Sequence, residues 1–330
     1  MIWLTWRQSR TQAAVIYTAI ALIAVILAVT GPQLLHLYNA GGGDFLNRAK
    51  DNSTDSTMYI VGALTLLAAP AVIGAFCGAP LIARELDAGT HRLIWNQSVT
   101  RTRWLTAKLG LTGLAAMAAA GLLSLSMTWW VDPIDKATGA STNSAAPVGF
   151  FFPRLSPVVF DARGIAPIGY AAFAFTLGVT IGVLTRRIVS AMALTLVGTA
   201  GTQIVDSIWI RPLLLRPDHV TTVITPANLL NDSTVNVHEP GAWITSTQIV
   251  DATGHQVTGI SLANWMKCLP APGQIDHACF AKLTSLGYRA QVSFQPENRF
   301  WAFQWYETAI FLALALALVS LCTWWIRRLS

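Results

Sequence analysis

The chain has 330 residues, of which 53% are hydrophobic and only 12% are charged, and its formal net charge is +6. A soluble domain carries about 25% charged residues, so this composition excludes a soluble protein and indicates an integral membrane protein. The positive charge is not evidence for nucleic-acid binding, because the basic residues of a membrane protein must first be assigned to one side of the membrane.

Six apolar runs are long enough to cross a bilayer, which takes roughly 20 residues of helix. No run carries a charge near its middle, and Asp206 and Glu307 lie close to expected outer ends. Gly74-x-x-x-Gly78 and Gly178-x-x-x-Gly182 allow close helix packing, within the chain by default and between two copies as the alternative. The expected spans are Ala13–Leu35, Met58–Ala83, Leu105–Trp130, Ile165–Leu184, Ile188–Ile210 and Tyr306–Ile326.

The distribution of basic residues predicts the orientation, because Lys and Arg accumulate in short cytoplasmic loops. With the N-terminus inside, the short inner segments hold eleven of the 22 basic residues and only two of the 16 acidic ones. We therefore expect an all-α integral membrane protein with six transmembrane helices, cytoplasmic N- and C-termini, and a small mixed α/β extracytoplasmic region between helices 5 and 6. The expected divisions are an interfacial amphipathic helix at 1–12, the first five spans with the cytoplasmic loop 84–108 at 13–210, the extracytoplasmic region at 211–305, and the sixth span with a cytoplasmic tail at 306–330.

The segment before the first span, residues 1–12, has the pattern of an amphipathic helix on the inner membrane surface. A simple anchor for the first span is an equally good interpretation. The side chains that would hold the segment at the interface are Trp3, Trp6, Arg7 and Arg10.

The connection between the second and third spans, residues 84–108, is the most distinctive segment of the chain. It holds five basic residues, and two acids stand at its start. Gly89-Thr90 predicts a helix end followed by a new start, because Gly adopts the left-handed conformation and Thr is a good N-cap. A short surface helix there would suit docking of a cytoplasmic protein. A charged turn that only fixes topology is the alternative, and the spacing does not decide between them.

The expected outer segments are Gln33–Thr57, predicted to be irregular, Val131–Gly164, whose Phe150–Phe152 patch we place at the interface, and Arg211–Trp305. The last is expected to be a small cap and not a catalytic domain. Its predicted elements are a strand at Ala242–Val250, a turn at Asp251–Gly254, a returning strand at His255–Gly259, a helix at Asp276–Leu286 and a strand at Tyr288–Phe294, before Pro296 opens the last helix.

Two cysteines of the outer region, Cys268 and Cys279, are expected to form a disulfide, because the extracytoplasmic compartment is oxidising. Closing so short a loop could stabilise the region by ~3 kcal/mol. His255 and His277 lie near them, but the spacing fits no standard zinc pattern, so no metal site is predicted.

Several catalytic signatures are absent from the sequence. It contains no G-x-x-x-x-G-K-[ST] phosphate loop, so the chain cannot supply an ATP site by that route. It also lacks H-E-x-x-H and a convincing nucleophile–base pair. We therefore expect a protein that is not an enzyme and that carries no cofactor of its own.

The loop motifs Arg84-Glu85, Gly89-Thr90 and Ser98, with Arg101, Trp104 and Lys108, resemble the cytoplasmic loop of ABC-2-type permeases, the membrane subunits of ABC exporters. Trp3–Arg10 and Phe160–Arg187 resemble actinobacterial members. The resemblance implies that the loop is a coupling helix seated on a separate ATPase. The residues it would assign to that contact are Arg84, Glu85, Asp87, Gly89, Thr90, His91, Arg92, Leu93, Ile94 and Trp95.

This resemblance implies the permease subunit of an exporter in the plasma membrane. A partner ATPase would bind ATP and Mg, and a second copy or a related permease would complete the pathway. The scarcity of charge inside the spans suggests an apolar or amphipathic cargo, such as a drug, lipid or lipopeptide. The alternative is a non-transporting signalling or scaffold subunit with an extracytoplasmic ligand-binding region.

Overall fold

The structure is a computed structural model. It describes residues 2–41, 44–87, 101–140, 150–225, 229–231, 234–235, 239, 241–256 and 277–328.

Six helices in the described part of the chain are long and apolar enough to cross a membrane, which confirms the predicted number of spans. We number them as the first to the sixth span: Ala13–Ala40, Ser53–Arg84, Leu105–Ala140, Ala166–Thr185, Ile188–Leu214 and Glu297–Ile326. The α-helices that build the fold are Ile2–Gly41, Phe45–Asp51, Ser53–Ile73, Ala79–Asp87, Arg101–Ala140, Ala166–Thr185, Ile188–Val205, Arg211–Leu214, His277–Ser285 and Phe300–Arg328.

Two spans contain a π-helical turn, in which the backbone bonds run from residue i to residue i+5. One turn, Gly74–Gly78, lies in the second span, and the other, Asp206–Ile210, lies in the fifth. The helix of the first span begins at Ile2, so residues 2–12 continue it without a break. The placement of this segment on a membrane surface stays a prediction.

The third span is longer than its apolar run predicts. The helix continues ten residues past Trp130 and ends at Ala140. Lys136 and Asp132, one turn apart, form an ion pair of 2.5 Å, and such i,i+4 pairs stabilise an exposed helix. The prediction that the third span ends at Trp130 was therefore wrong, whereas the outward placement of residues 131–140 stays a prediction.

Residues 33–57 were predicted to be irregular, and that prediction was also wrong. The first helix runs to Gly41, and a short helix follows at Phe45–Asp51. Phe45 is 1% exposed and meets Tyr38 edge-on at 5.3 Å. The side chain of Asn52 then accepts the backbone N–H of Thr54 and caps the second span. Burial of the short helix and this cap give the segment its order.

The aromatic patch Phe150–Phe152 does not lie at an interface as a unit. Phe151 is 1% exposed and packs edge-on against Tyr59, with ring centroids 5.0 Å apart. Phe152 is partly buried against the same core, and only Phe150 is strongly exposed, at 60%. The prediction was wrong because it treated three consecutive aromatic residues as one surface.

The fourth span lies at the centre of the bundle and packs backbone to backbone against the second. A Cβ atom on Gly178 would lie 2.3 Å from the carbonyl oxygen of Gly74. A Cβ atom on Gly78 would lie 2.4 Å from the carbonyl oxygen of Phe175. The two small-residue motifs therefore face each other within the chain, as the default interpretation predicts.

A three-stranded antiparallel sheet follows the fifth span. Its central strand is β5 (Arg289–Gln295), which pairs with β1 (Asp218–Val223) on one side and β4 (Trp243–Val250) on the other. The predicted strand and turn at 242–254, the helix at 277–285 and the strand at 289–295 are confirmed. The returning strand was predicted at His255–Gly259. The structure shows one antiparallel bridge there, between Gln256 and Val250, and residues 257–259 lie outside the described part. The strands are β1 (Asp218–Val223), β2 (Leu229–Asn231), β3 (Thr234–Val235), β4 (Trp243–Val250) and β5 (Arg289–Gln295).

The sheet adjoins one end of the helix bundle, which we call the sheet end. The side-chain amide of Gln295 in β5 donates to the carbonyl of Leu215, which directly follows the fifth span, at 2.8 Å. Arg299, in the 3-10 turn that opens the sixth span, donates to the carbonyl of Arg216 at 2.7 Å. These bonds hold the end of the fifth span beside the start of the sixth.

Candidate functional site

The predicted coupling segment begins at the end of the bundle opposite the sheet. The second span carries Tyr59 near the sheet end and Arg84 25 residues later, so about 38 Å of helix separates them. Arg84 is exposed, and the helix ends at Asp87. The remaining side chains assigned to the ATPase contact lie outside the described residues, so that assignment stays a prediction.

The other predicted sites are described only in part. Arg10 is exposed on the first helix, whereas the side chains of Trp3, Trp6 and Arg7 lie outside the described part. Cys279 lies on the short helix at 277–285, but Cys268 lies outside the described residues. The interfacial anchor and the disulfide therefore stay predictions.

The structure instead reveals a cluster of ionisable side chains that sequence reasoning missed. It contains three carboxyl groups, one guanidinium group and one phenol, and none of these residues is more than 5% exposed. We call it the Arg211 cluster, and its members are Asp161, Tyr170, Asp206, Arg211 and Glu307.

Four separate elements bring these side chains together at the sheet end. Asp161 lies on the 3-10 turn Phe160–Ala162, just before the fourth span, and Tyr170 lies within that span. Asp206 and Arg211 belong to the fifth span, and Glu307 belongs to the sixth. The cluster therefore joins three spans and the turn that precedes one of them.

The π turn of the fifth span explains how Asp206 and Arg211 come to serve one site. In an α-helix, with 3.6 residues per turn, residues five apart point in different directions. Here the backbone N–H of Arg211 bonds to the carbonyl of Asp206, so the turn is one residue wider. The wider turn brings both side chains toward the same neighbours.

Arg211 is the centre of the hydrogen-bond network. Its Nε donates to Oε1 of Glu307 at 2.5 Å, and its Nη2 donates to Oε2 of Glu307 at 3.2 Å. Nη2 also donates to Oδ1 of Asp161. The guanidinium carbon lies 4.2 Å from the ring centroid of Phe160, so an aromatic face also contacts the buried cation.

Tyr170 links the two carboxylates that Arg211 binds. Its hydroxyl donates to Oδ1 of Asp161 at 3.0 Å and is also bonded to Glu307. Burial raises the pKa of Asp161 to about 6, although Arg211 and Tyr170 both favour its ionised form. Burial thus outweighs the two partners, which is expected where several acids compete for one cation.

The cluster is not fully satisfied. Oδ2 of Asp206 lies 3.6 Å from Nη2 of Arg211, too far for a good hydrogen bond. Among the residues that the structure describes, neither carboxylate oxygen of Asp206 has a hydrogen-bond partner, and Nη1 of Arg211 also lacks one. Buried polar groups normally have hydrogen-bond partners, so these unpaired atoms make the cluster a candidate functional site.

A neutral contact one turn away fixes the same junction. Oε1 of Gln304 in the sixth span accepts the backbone N–H groups of Ile165 and Ala166, at 2.9 and 2.7 Å. These N–H groups begin the fourth span and have no partner within their own helix. Gln304 therefore caps the fourth span from the sixth and sets the distance between them.

A second ionic contact ties the third span to the same end. Arg163 is 2% exposed and donates to both oxygens of Asp135 at 2.5 Å. Its other terminal nitrogen donates to the hydroxyl of Tyr59 at 3.1 Å. The second and third spans are thus held to the loop that carries Asp161. Among the residues that the structure describes, no group of three or more His, Cys, Asp or Glu side chains is arranged to hold a metal ion.

The cavities between the spans are lined mainly by apolar side chains, unlike the ionisable Arg211 cluster. A cavity of about 320 Å³ lies between the third, fourth and sixth spans and is lined mainly by apolar side chains, such as Leu109, Phe175 and Leu312. Another, of about 240 Å³, lies between the first three spans and includes Ile23, Leu66 and other apolar residues. These spaces suit hydrocarbon and not a charged ligand.

Comparison with known families decides the class of protein. The family model described as ABC-2 membrane transporter related matches residues 17–211, more than half of the chain. The chain belongs to this family. No curated protein and no solved structure matches it significantly.

The membership confirms the resemblance inferred from the sequence, and it covers the first five spans. The matched part includes four members of the Arg211 cluster and ends at Arg211 itself. Glu307 lies beyond the match. In the sequence, an ionisable residue at the end of an apolar run was the available signal. Asp206 and Glu307 were noticed there, but no contact between the two spans was predicted from them.

Proposed function

We propose that the chain is the permease subunit of an ATP-driven ABC exporter. A separate ATPase binds ATP and Mg²⁺ and docks on residues 84–108. A second copy of the chain, or a related permease, completes the pathway across the plasma membrane. The observation that carries this proposal is the family match over residues 17–211, together with six spans.

The packing of the second span supports a mechanical role for the segment that follows it. Movement of Asp87 and its neighbours displaces the second span, which is locked to the fourth through the contacts of Gly74, Gly78 and Gly178. The fourth span carries Tyr170 at its other end. A push at the loop therefore travels along a packed helix pair to the Arg211 cluster.

The Arg211 cluster suits the role of a latch at the sheet end. It holds the fourth, fifth and sixth spans together through buried charged groups, and its members are incompletely paired. Buried networks of this kind have a small number of discrete arrangements and do not deform gradually. We infer that export requires this junction to open and close.

An apolar or amphipathic cargo fits the spaces between the spans. Their lining is mainly aliphatic and aromatic, and small residues such as Gly113 leave room beside the fourth span. A drug, lipid or lipopeptide could place its hydrocarbon there, because transfer of apolar surface from water stabilises the bound state by about 25 cal/mol per Å².

The test is purification of the chain with its ATPase. Glu85→Ala and Gly89→Pro should weaken association or reduce the ATPase activity that the permease stimulates, since both alter the proposed docking segment. Asp132→Ala is the matched control, because that carboxylate is exposed at the sheet end. The coupling assignment is wrong if no ATPase associates, or if both loop variants behave like the control.

A further inference from the structure

The Arg211 cluster holds more negative groups than positive ones. Its acids are Asp161, Asp206 and Glu307, and its one base is Arg211. If every acid were ionised, two negative charges would remain uncompensated in a site that is closed to water. Transfer of a single unpaired ion into such an environment is unfavourable by several kcal/mol, so a positive species is needed to balance it.

The hydrogen-bond partners show which of the three acids lacks a compensating positive group. Glu307 and Asp161 both accept hydrogen bonds from Arg211, whereas neither oxygen of Asp206 has a hydrogen-bond partner among the described residues. Asp206 and Glu307 nevertheless adjoin the same nitrogen, because Nη2 of Arg211 lies 3.6 Å from Oδ2 of Asp206 and 3.2 Å from Oε2 of Glu307. Two ionised carboxylates can only accept. A hydrogen bond between them therefore requires a proton on one of the two.

A metal ion fits this site less well than a proton. The described residues contain no arrangement of His, Cys, Asp or Glu that could hold a metal. The guanidinium group of Arg211 already occupies the space between Asp161 and Glu307. A proton needs no such space, and two carboxyl groups that share a site hold one readily.

The described residues around the pair include three ionisable groups. The charged and titratable groups that face Asp206 and Glu307 are Asp161 from the turn before the fourth span, Tyr170 from the fourth span, and Arg211 from the end of the fifth. Tyr170 is a neutral donor and Asp161 is the partner of Arg211. Neither supplies the missing positive charge.

The polar face of the fifth span continues inward from the cluster. Oγ1 of Thr199 and Nε2 of Gln203 are buried and have no hydrogen-bond partner in the described part of the chain. They precede Asp206 by seven and three residues, so the three side chains share one helix face. Buried polar groups without protein partners are commonly satisfied by internal water, and water can carry a proton to Asp206.

We propose that the Arg211 cluster is a proton-binding site, in which Asp206 and Glu307 share one proton at neutral pH. The bound proton reduces the buried charge imbalance from two to one. Its loss leaves two ionised carboxylates beside one guanidinium nitrogen and weakens the junction of the fifth and sixth spans. The inference concerns the membrane junction alone, so it holds or fails independently of the ATPase partner.

The experiment is infrared spectroscopy of the full chain in a detergent that has no carbonyl group. A protonated carboxyl group has a C=O stretching band that an ionised one lacks. The wild-type chain should have this band at neutral pH and lose it at alkaline pH. Asp206→Asn and Glu307→Gln should each remove it, and Asp132→Asn, an exposed control at the same end, should leave it unchanged.

Two results would overturn the proposal. One is a wild-type spectrum without a protonated carboxyl band at neutral pH, which needs no variant and so stands even if the substituted chains fail to fold. The other is a thermal midpoint that rises with sodium or potassium concentration in the wild type but not in Asp206→Asn. The site would then hold a metal cation.

Discussion

Arg211 and Glu307 stand 96 positions apart in the chain, yet Nε of one donates to Oε1 of the other at 2.5 Å. Both side chains are 0% exposed. This pair joins the end of the fifth span to the sixth, with Asp161 and Tyr170 bonded to the same groups. The junction at the sheet end thus depends on buried charge as well as on packed hydrocarbon.

Arg211→Met should strongly destabilise the chain. The substitution keeps much of the side-chain volume but leaves three buried carboxyl groups without their cation, and removal of one partner from a buried ion pair costs about 3–5 kcal/mol. The measurement is thermal unfolding in detergent. Lys136→Met removes an exposed cation from a pair at the same end and should have no measurable effect. Equal midpoints for the two variants would mean that Arg211 is not the centre of the junction.

Gly178→Ala should separate the second and fourth spans. The added Cβ would lie 2.3 Å from the carbonyl oxygen of Gly74 and 2.8 Å from the backbone nitrogen of Ala79. Because these are backbone atoms, the helices themselves must shift, and such overpacking typically costs about 1–3 kcal/mol. Thermal unfolding again measures the effect. Gly201→Ala is the matched control, since its added Cβ meets no atom within 4 Å. A neutral Gly178→Ala would contradict the close backbone contact.

Gln304→Leu should destabilise the start of the fourth span. It removes the acceptor for the N–H groups of Ile165 and Ala166, and each buried donor left unpaired costs about 1–3 kcal/mol. Hydrogen exchange at these two amides, followed by mass spectrometry, should be faster than in the wild type. Gln304→Glu keeps an acceptor and should restore slow exchange. Fast exchange in both variants would show that bulk packing, and not this cap, protects the amides.

Acidification should stabilise the chain through Asp161. Burial raises its folded-state pKa to about 6 from the ordinary value of 3.8. Between these two values the folded state binds more protons than the unfolded state. The contribution of Asp161 to stability is therefore complete below the lower value and is lost as the pH rises through about 6.

The corresponding measurement is the free energy of unfolding as a function of pH in the wild type and in Asp161→Asn. Between pH 3.8 and about 6, the difference in this free energy between the two proteins should change by at most about 1.4 kcal/mol per pH unit. The variant should lack the change, because its amide does not titrate. Parallel curves for the two proteins would mean that Asp161 stays ionised throughout, held by Arg211.

The sequence predicted the elements that depend on local pattern. Long apolar runs predicted six spans, and alternation over Tyr288–Phe294 predicted the strand that the structure has at Arg289–Gln295. The short strand β1 was missed because its sequence, DHVTTV, has little apolar alternation and is ordered by pairing with β5, some 70 residues away. The helical end of the third span was missed because the apolar run ends at Trp130. Burial of Val131 and Ile134 and the ion pair of Asp135 with Arg163 hold the helix beyond that point.

The Arg211 cluster could not be derived from local pattern for a similar reason. Asp206 and Glu307 were visible at the ends of apolar runs, and Asp161 and Arg211 stood in segments expected to face water. Their convergence depends on the π turn at Asp206–Ile210 and on the packing of three spans. Both are set by contacts between residues distant in sequence, which a single sequence does not display.

The central claim is that the chain moves cargo with energy from ATP. The most direct measurement is movement of a fluorescent lipid or dye by the permease–ATPase complex in sealed vesicles, with a hydrolysis-deficient ATPase as control. We expect movement that requires ATP and its hydrolysis and that falls in Gly89→Pro. A complex that assembles and hydrolyses ATP, yet moves none of a panel of apolar and amphipathic probes, would contradict it and favour a signalling or scaffold subunit.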